Sequence, residues 1–136
     1  MEERTSNGAI NGSSSDLELV MDVSNQSVGL RFRNLSVPNN AVITNAYIQF
    51  TTDEVGSEAT DLVIHAENHD SSHAFMTTAF NVSRRNMTMD SVKWQPPSWT
   101  TVNAAGADQQ TPNLSALVQA VVSRAGWTNG NPMSFI

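Results

Sequence analysis

The sequence predicts an all-β fold, an antiparallel β-sandwich of the jelly-roll kind, with one short amphipathic helix near residues 112–125. Three observations predict this fold class. Apolar and polar residues alternate along several short segments, turn-forming residues separate those segments, and only one segment has a helical period. An α/β fold would need helices that alternate with the strands. We therefore expect one core and a single β-sandwich domain over residues 1–136.

Alternation with a period of two marks the predicted strands. It runs through residues 17–21, 28–33, 46–51 and 62–67, and weaker strand-like segments lie around Phe80, at 88–94 and at 132–136. In the stronger segments the apolar side chains fall on one face, as in a half-buried strand. Because the last strand is followed by no turn, we expect that one or two C-terminal strands of the full module are missing. The open sheet edge would then pair with itself or with a strand from a neighbour.

One segment, residues 111–126, has the period of an amphipathic helix. Four apolar residues follow the i, i+3, i+4, i+7 pattern of one helical face, namely Leu114, Leu117, Val118 and Val121. Thr111 is expected to cap the first turn, and Pro112 to occupy the first helical position. Arg124 suits the last turn, and Gly126 is expected to end the helix in the left-handed conformation.

Composition excludes several classes of partner. Charged residues make up 15% of the chain, the net charge is −6, and Lys93 is the only lysine. Without a positive field, nucleic acid and anionic membranes are not expected partners. No stretch reaches the ~18 consecutive apolar residues that a membrane span needs, so no membrane insertion is expected. The abundance of Ser, Thr and Asn is typical of secreted proteins, and we expect an extracellular or cell-surface location.

The sequence contains no recognisable catalytic motif. A serine nucleophile needs a histidine and a carboxylate within reach. The sequence has no Gly-x-Ser-x-Gly motif, the turn that exposes such a serine in α/β-hydrolases. The absence of cysteine excludes thiolate chemistry. We therefore expect that the chain is not an enzyme. His65, His69 and His73 recur every four residues, but they fall on a predicted strand and a loop, where that spacing does not align them on a metal.

Acidic residues near predicted strand ends suggest a structural calcium ion. Asp16 and Glu18 lie at the start of one predicted strand, whereas Asp53 and Glu54 follow another and precede Asp61. Carboxylate oxygens are ligands that calcium prefers, so the first four of these residues are the candidate metal ligands. The alternative is that the acids are solvated or form ion pairs with one of four arginines: Arg31, Arg33, Arg84 and Arg85.

Aromatic side chains provide the candidate carbohydrate site. Trp99 lies in a Pro-Pro-Ser-Trp loop, and Tyr47 and Gln49 share the polar face of one predicted strand. A flat aromatic ring with amides nearby can stack on a sugar and hydrogen-bond to it, so these three are the candidate ligand-binding residues. The alternative for Trp99 is a structural plug at the end of the sandwich. Trp94 and Trp127 end alternating or amphipathic segments and are predicted to be core residues.

Five segments, taken in order, resemble a known group of modules. They are SSSDLELV (13–20), VGLRF (28–32), VPNNAVITNAYIQFTTDE (37–54), SVKW (91–94) and TPNLSALVQAVVSRAGWTNGN (111–131). Together they resemble jelly-roll accessory modules of marine-type bacterial secreted multidomain proteins, which are related to DNRLRE-type carbohydrate-binding modules. Such modules usually continue with a glycine-rich loop and a final strand, which this sequence lacks. The group has no binding motif common enough to carry over to named positions here.

The resemblance implies a function that spacing alone does not show. It implies a non-catalytic accessory or adhesion module of a larger secreted or surface protein, with polysaccharide as the expected ligand. The alternative is a structural spacer, or a self-assembling subunit that associates by β-strand exchange through its open sheet edge. The two alternatives differ in the partner, which is a glycan in the first case and a polypeptide strand in the second.

Overall fold

The computed structural model describes residues 1–22 and 24–136, which form short antiparallel strands and one short α-helix. The strands are β1 (Glu2–Arg4), β2 (Ile10–Asn11), β3 (Met21–Asp22), β4 (Ser24–Val28), β5 (Leu30–Phe32), β6 (Leu62–Ile64), β7 (Val92–Trp94) and β8 (Met133–Phe135). The helix is α1 (Ser115–Val122), and a single 3₁₀ turn covers Ala107–Gln109. The prediction of a β-rich chain with one helix is confirmed. In the described part of the chain, no helix is long and apolar enough to cross a membrane.

All strand pairs are antiparallel, and the strands form three sheets. The strand orders in these sheets are β2-β1-β4-β3, β5-β8 and β6-β7. The chain passes directly from β4 into β5 through Gly29, which links the first two sheets. Just beyond β6, His65 exchanges two backbone hydrogen bonds with Ile136, which extends β8. β8 therefore lies between β5 on one side and the continuation of β6 on the other.

The core lies where α1 packs against β8 and the segment after β6. Its buried members are Ala66, Leu114, Leu117, Val121, Val122, Trp127, Met133 and Phe135. Three of the four residues predicted for the apolar helical face are in this cluster, because a 3.6-residue period places them on the side that meets the sheet. Trp94 and Trp127 are 5% and 1% exposed, which confirms that both are core residues.

The helix is shorter than predicted at its start. Thr111 does not cap it, because its hydroxyl oxygen accepts a hydrogen bond from the Ile48 N–H at 3.0 Å. Pro112 lies three residues before the first helical residue, Ser115, whose N–H is bonded to the Asn113 side chain at 2.9 Å. The polar residues that looked like a helix start therefore join the 111–114 segment to the strand-like segment around Ile48.

The end of the helix also differs from the prediction. The helix ends at Val122, so Arg124 lies beyond the last turn, where its guanidinium binds Asp70 and Asn68. Gly126 is not left-handed, since Gly8 and Gly130 are the glycines with positive φ among the described residues. Gly126 is instead a position of close approach, because a Cβ there would collide with the Asp70 carboxylate.

Three of the predicted strands, and β1 among the strands that were missed, show where local pattern misleads. The predicted strand 46–51 forms a single isolated bridge, between Gln49 and Gln110. The alternating segment 17–21 is a strand only from Met21 onward, and the segment around Phe80 is a turn in which Phe80 has φ of 62°. In contrast, the charged β1 was not predicted. It pairs with β2 and β4, and the fully buried Glu3 accepts hydrogen bonds from the N–H groups of Val82 and Ser83 at 2.7 and 3.2 Å.

Candidate functional site

An open groove of about 450 Å³ lies beside the end of β8. Its lining is mainly apolar. The groove is lined by residues of β4, β5 and β6, by Leu19 and Val20 of the segment that precedes β3, and by Ile48, Phe50, Trp94, Thr111 and Phe135. A cavity of this size falls in the range of ligand-binding clefts. Its shape is defined by the two strands that flank it.

β6 turns one backbone edge towards the groove. In an antiparallel ladder, the N–H and C=O groups of successive residues point alternately to the two sides. His65 directs both of its groups to Ile136, at 2.8 and 2.9 Å, so Val63 directs its groups to that same side. β8 ends before it reaches Val63. No backbone hydrogen bond from elsewhere in residues 1–22 and 24–136 meets the Val63 edge.

β4 turns the facing edge towards the same groove. Gly29 exchanges hydrogen bonds with Met1, at 2.8 and 3.3 Å, so the Gly29 backbone groups face β1. By alternation, Val28 faces the opposite side, on which β5 pairs with β8. The next residue on that side, Gln26, already donates its N–H to the Val20 carbonyl at 2.9 Å. Val28 is thus the β4 residue whose N–H and C=O are directed into the groove.

The groove lies where the β8 ladder would continue. Where β8 is present, it fills the space between β5 and the continuation of β6. A strand that continued both β8 ladders would lie between β4 and β6, and two ladder spacings would then separate these strands by roughly 10 Å. An extended segment there would hydrogen-bond to Val28 on one side and to Val63 on the other. The sequence predicts an open sheet edge, but the residues that flank it depend on the strand pairing, which the sequence does not show.

Trp99 belongs to an aromatic cluster that adjoins the groove. Phe50 and Trp94 stack with ring centroids 5.5 Å apart, and the Trp99 ring lies 6.2 Å from Phe50 and 6.4 Å from Trp94. The Trp99 Nε1–H donates to the Asp108 carbonyl at 2.9 Å. Trp99 is half-buried, so part of its ring faces solvent. Its role, as ligand-binding residue or as plug, stays a prediction.

Tyr47 and Gln49 differ in how much of each side chain is available to a ligand. Tyr47 is 51% exposed. The Gln49 amide is used internally, since its nitrogen donates to the carbonyls of Phe50 and Gly106 and its oxygen accepts from Gln110. Gln49 and Trp99 both hold the 106–110 segment in place. Of the three predicted ligand-binding residues, Tyr47 and Trp99 retain a free aromatic surface.

The predicted calcium ligands do not converge in the structure. The Asp16 carboxylate accepts a hydrogen bond from the Ser14 hydroxyl, and the Glu18 N–H donates to the buried Glu2 carboxylate. Asp53 and Glu54 are exposed at a bend. Among the residues described, no group of three or more His, Asp or Glu side chains is arranged to hold a metal ion. The calcium site stays a prediction.

The arginines predicted as partners of these acids make other contacts. In the described residues the ion pairs join Arg85 to Glu67 at 2.7 Å and Arg124 to Asp70. The Arg31 guanidinium donates to the Ser72 carbonyl at 2.9 Å. Each of these three arginines therefore fastens the 67–74 segment, which follows β6.

Comparison with known proteins gives no indication of function. No protein-family model matches the chain. No curated protein and no solved structure matches it either. The similarity to DNRLRE-type modules accordingly stays a prediction from the sequence, and the groove and the aromatic cluster are the two features from which a function can be argued.

Proposed function

We propose that this chain is a non-catalytic binding and assembly module, and that it binds by accepting a β-strand in the groove between β4 and β6. The proposal is supported by the strand pairings, whose alternation directs the backbone groups of Val28 and Val63 into one apolar groove from opposite sides. Strand addition of this kind uses main-chain hydrogen bonds for affinity and side-chain pockets for specificity. The module would belong to a secreted or surface protein, consistent with its neutral polar composition.

The expected affinity for a short strand is modest. Each backbone hydrogen bond contributes a net ~0.5–1.5 kcal/mol, and each buried aliphatic side chain contributes ~1.5–3 kcal/mol. Much of this gain offsets the loss of translational, rotational and chain entropy on binding. A net binding free energy of about 4–7 kcal/mol corresponds to a Kd between about 10 μM and 1 mM. Covalent linkage of the two chains would raise the effective concentration and strengthen the association.

A capped hexapeptide, acetyl-Thr-Val-Thr-Val-Thr-Val-amide, tests whether the groove accepts a strand. We expect saturable binding with a Kd in the range above. The Val63 and Val28 amides should become at least about tenfold slower in hydrogen exchange, because they would then donate to the peptide. Trp94 lines the groove, so its fluorescence should change over the same titration.

Two proline variants form the matched control. Val63→Pro removes the N–H that faces the groove without removing a bond to β7, because Val63 and Lys93 form a pair whose groups point away from each other. Lys93→Pro places the same residue on the outer edge of β7. We expect Val63→Pro to abolish peptide binding and Lys93→Pro to keep it. Equal binding by both variants, or no change in amide exchange for the unsubstituted protein, would contradict strand acceptance.

Polysaccharide binding is the second candidate function, and a specific observation favours it. Trp99 is held rigidly by its bond to Asp108 and by Phe50 and Trp94, while part of its ring faces solvent. An immobilised ring loses little entropy on contact with the apolar face of a sugar. Tyr47 provides a second exposed aromatic surface. No bond-making step is proposed for either candidate function.

Retention on insoluble cellulose, chitin and agarose tests the polysaccharide candidate. We expect Tyr47→Ala to weaken retention severalfold while it changes the free energy of unfolding by no more than ~0.5 kcal/mol, since the side chain is half exposed. Val42→Ala, at a residue that is 84% exposed, is the control and should change neither. If Tyr47→Ala is retained as well as Val42→Ala on every support, Tyr47 has no part in glycan binding.

A further inference from the structure

We propose that Asn11 is a site of spontaneous deamidation, where the folded chain converts its own asparagine to aspartate and isoaspartate with water as the co-reactant. Three asparagines of the chain are followed by glycine, namely Asn7, Asn11 and Asn129. A glycine at that position leaves its backbone nitrogen open to attack the asparagine side chain, because no Cβ shields it. None of the three asparagines lines the groove described above, so this chemistry is separate from strand acceptance.

The glycine nitrogens of the first and third pairs are held by hydrogen bonds. The Gly8 N–H donates to the Arg4 carbonyl at 2.8 Å, and the Gly130 N–H donates to the Leu35 carbonyl at 2.9 Å. A nitrogen in such a bond must break it before it can lose its proton and attack, and this costs the net free energy of the bond. The fold therefore protects the asparagines of these two pairs.

The Gly12 nitrogen is not held in this way. The Arg4 N–H donates to the Ala9 carbonyl, so Ala9 and, two residues later, Asn11 direct their backbone groups towards β1. By the same alternation, the Gly12 N–H points away from β1, to the open side of β2, which is an edge strand. Gly12 is exposed, and no acceptor for its N–H occurs in the described part of the chain. Its nitrogen can therefore react without loss of a hydrogen bond.

The Asn11 side chain is arranged to accept the attack. Its Oδ1 accepts a hydrogen bond from the Ser13 N–H at 3.2 Å and lies 3.5 Å from the Ser13 hydroxyl oxygen. Negative charge develops on Oδ1 when a nucleophile adds to Cγ, and donors already in place stabilise that charge. Asn7 has a similar contact, since its Oδ1 accepts the Ala9 N–H at 3.0 Å. The two sites therefore differ chiefly in the state of the glycine nitrogen that follows.

The reaction balances with water alone. The Gly12 nitrogen loses its proton to hydroxide and bonds to the Asn11 Cγ, the Cγ–Nδ2 bond breaks, and Nδ2 takes up a proton from water and leaves as ammonia. A cyclic imide remains in the backbone, and water then adds to one of its carbonyls. Cleavage between the nitrogen and Cγ gives aspartate, whereas cleavage between the nitrogen and the main-chain carbonyl carbon gives isoaspartate. Hydroxide is regenerated, so it acts as a catalyst.

The product changes the edge of the first sheet. Asn11 pairs with Glu2, so an aspartate at position 11 would place its carboxylate on the same face as the Glu2 side chain. Like charges directly opposite each other are destabilising in a ladder. Glu2 is only 2% exposed and its carboxylate accepts the Glu18 N–H at 2.7 Å, so it would lose this bond if it turned away. Isoaspartate adds a methylene to the backbone at the same pair. Deamidation would therefore loosen β2 from β1.

Incubation of the folded protein at mildly alkaline pH, followed by mass spectrometry, tests the site. Trypsin gives the peptide 5–31, in which fragment ions separate Asn7 from Asn11, and the peptide 125–136, which contains Asn129. We expect Asn11 to deamidate about tenfold faster than either of the other two, a ratio that corresponds to ~1.4 kcal/mol and so to about one backbone hydrogen bond. In urea, where the fold no longer protects any glycine nitrogen, the three rates should become similar.

Gly12→Ala is the matched variant. Gly12 does not have positive φ, and a Cβ there would lie 3.2 Å from the end of the flexible Met1 side chain, so the fold tolerates alanine. We expect this variant to deamidate at Asn11 several times more slowly, because the added methyl group crowds the attacking nitrogen. The deamidated protein, separated by anion exchange through its added negative charge, should show severalfold faster hydrogen exchange of the Arg4 amide, which belongs to the β1–β2 ladder.

Three results would overturn the proposal. The first is a rate at Asn7 or Asn129 in the folded protein that equals the rate at Asn11. The second is the same ratio of rates in the folded protein and in urea, because the preference would then come from local sequence and not from the fold. The third is an Asn11 that stays intact in the folded protein for as long as the chain in urea needs to react fully. Unchanged exchange of the Arg4 amide after deamidation would refute the loosening of β2.

Discussion

Replacement of Arg85 by methionine is expected to lower the free energy of unfolding by about 3–5 kcal/mol. Arg85 and Glu67 form an ion pair at 2.7 Å in which both side chains are only 8% exposed. Removal of the arginine would leave the Glu67 carboxylate buried without a counter-charge, and desolvation of such a charge is far more costly than loss of a surface pair. Methionine keeps the volume of the side chain, so the loss of charge and of donors is the main change.

Arg85 also holds a loop that has few other attachments. Its guanidinium donates to the carbonyls of Asn81, His73 and Ala74, and it lies over the Phe75 ring at 4.0 Å from the centroid. These contacts fasten residues 73–81 to the strand that continues β6. Loss of them should increase the hydrogen exchange of that loop as well as the overall population of unfolded chains.

Arg84 provides the matched control for this substitution. It is the adjacent residue, it is exposed, and its recorded contact is with the Phe80 ring at 4.4 Å. We expect Arg84→Met to change the free energy of unfolding by no more than ~1 kcal/mol in urea titrations followed by tryptophan fluorescence. The double change Glu67→Met with Arg85→Met should recover part of the loss, because it removes the unpaired charge. An effect of Arg85→Met no larger than that of Arg84→Met would refute this assignment.

Local periodicity predicted the strands and the helix that have an apolar pattern of their own. β5 to β8 all fall in segments with alternation or strand-like composition, and the apolar face of α1 falls in the one helical segment. In β6 the alternation matches the burial, since Leu62 and Ile64 are half-buried and Val63 is exposed. In β5 it does not, since Phe32 is exposed and Arg31 half-buried, and all three residues of β8 are buried. The ends of α1 were predicted less well, because Thr111 and Gly126 are recruited by contacts with Ile48 and Asp70 that are remote in sequence.

The buried charges could not be predicted from local pattern. Glu3 lies in a polar segment, yet it is fully buried because the N–H groups of Val82 and Ser83 meet its carboxylate. Glu67 is buried because Arg85 lies on a loop 18 residues later in the chain. Such partners are set by tertiary contacts, and a sequence read along one strand shows only that a charged residue is present.

The sequence predicted an open sheet edge, but not which strands and residues form it. The expectation of an open sheet edge concerned the strand at the end of the sequence, whereas the groove depends on how β4 and β6 are spaced around it. Trp99 was predicted as a ligand-binding residue in a loop, or as a structural plug. It is half-buried, and the rings of Phe50 and Trp94, both earlier in the chain, lie 6.2 and 6.4 Å from its own. Which residues flank an edge is a property of strand order, and alternation does not encode strand order.

Replacement of Trp127 by alanine is also expected to be strongly destabilising, by about 3–5 kcal/mol. Trp127 is 1% exposed, packs in the core with Leu117 and Met133, and donates its Nε1–H to the Val37 carbonyl at 2.9 Å. The change would leave a large cavity and remove the donor that fixes the Val37 loop against the end of α1. Urea unfolding, compared with that of Trp99→Ala, measures the effect.

Trp99→Ala is the matched comparison, because it removes the same side chain from a half-buried position. We expect its cost to be smaller than that of Trp127→Ala by at least about 1 kcal/mol, since less apolar area is returned to water. Trp127 does not line the groove between β4 and β6. At a temperature where both variants remain folded, Trp127→Ala should therefore bind the Thr-Val peptide as the unsubstituted protein does. A Trp127→Ala variant that is folded but has lost peptide binding would mean that the groove is shaped by the core around α1, and not by the edges of β4 and β6 alone.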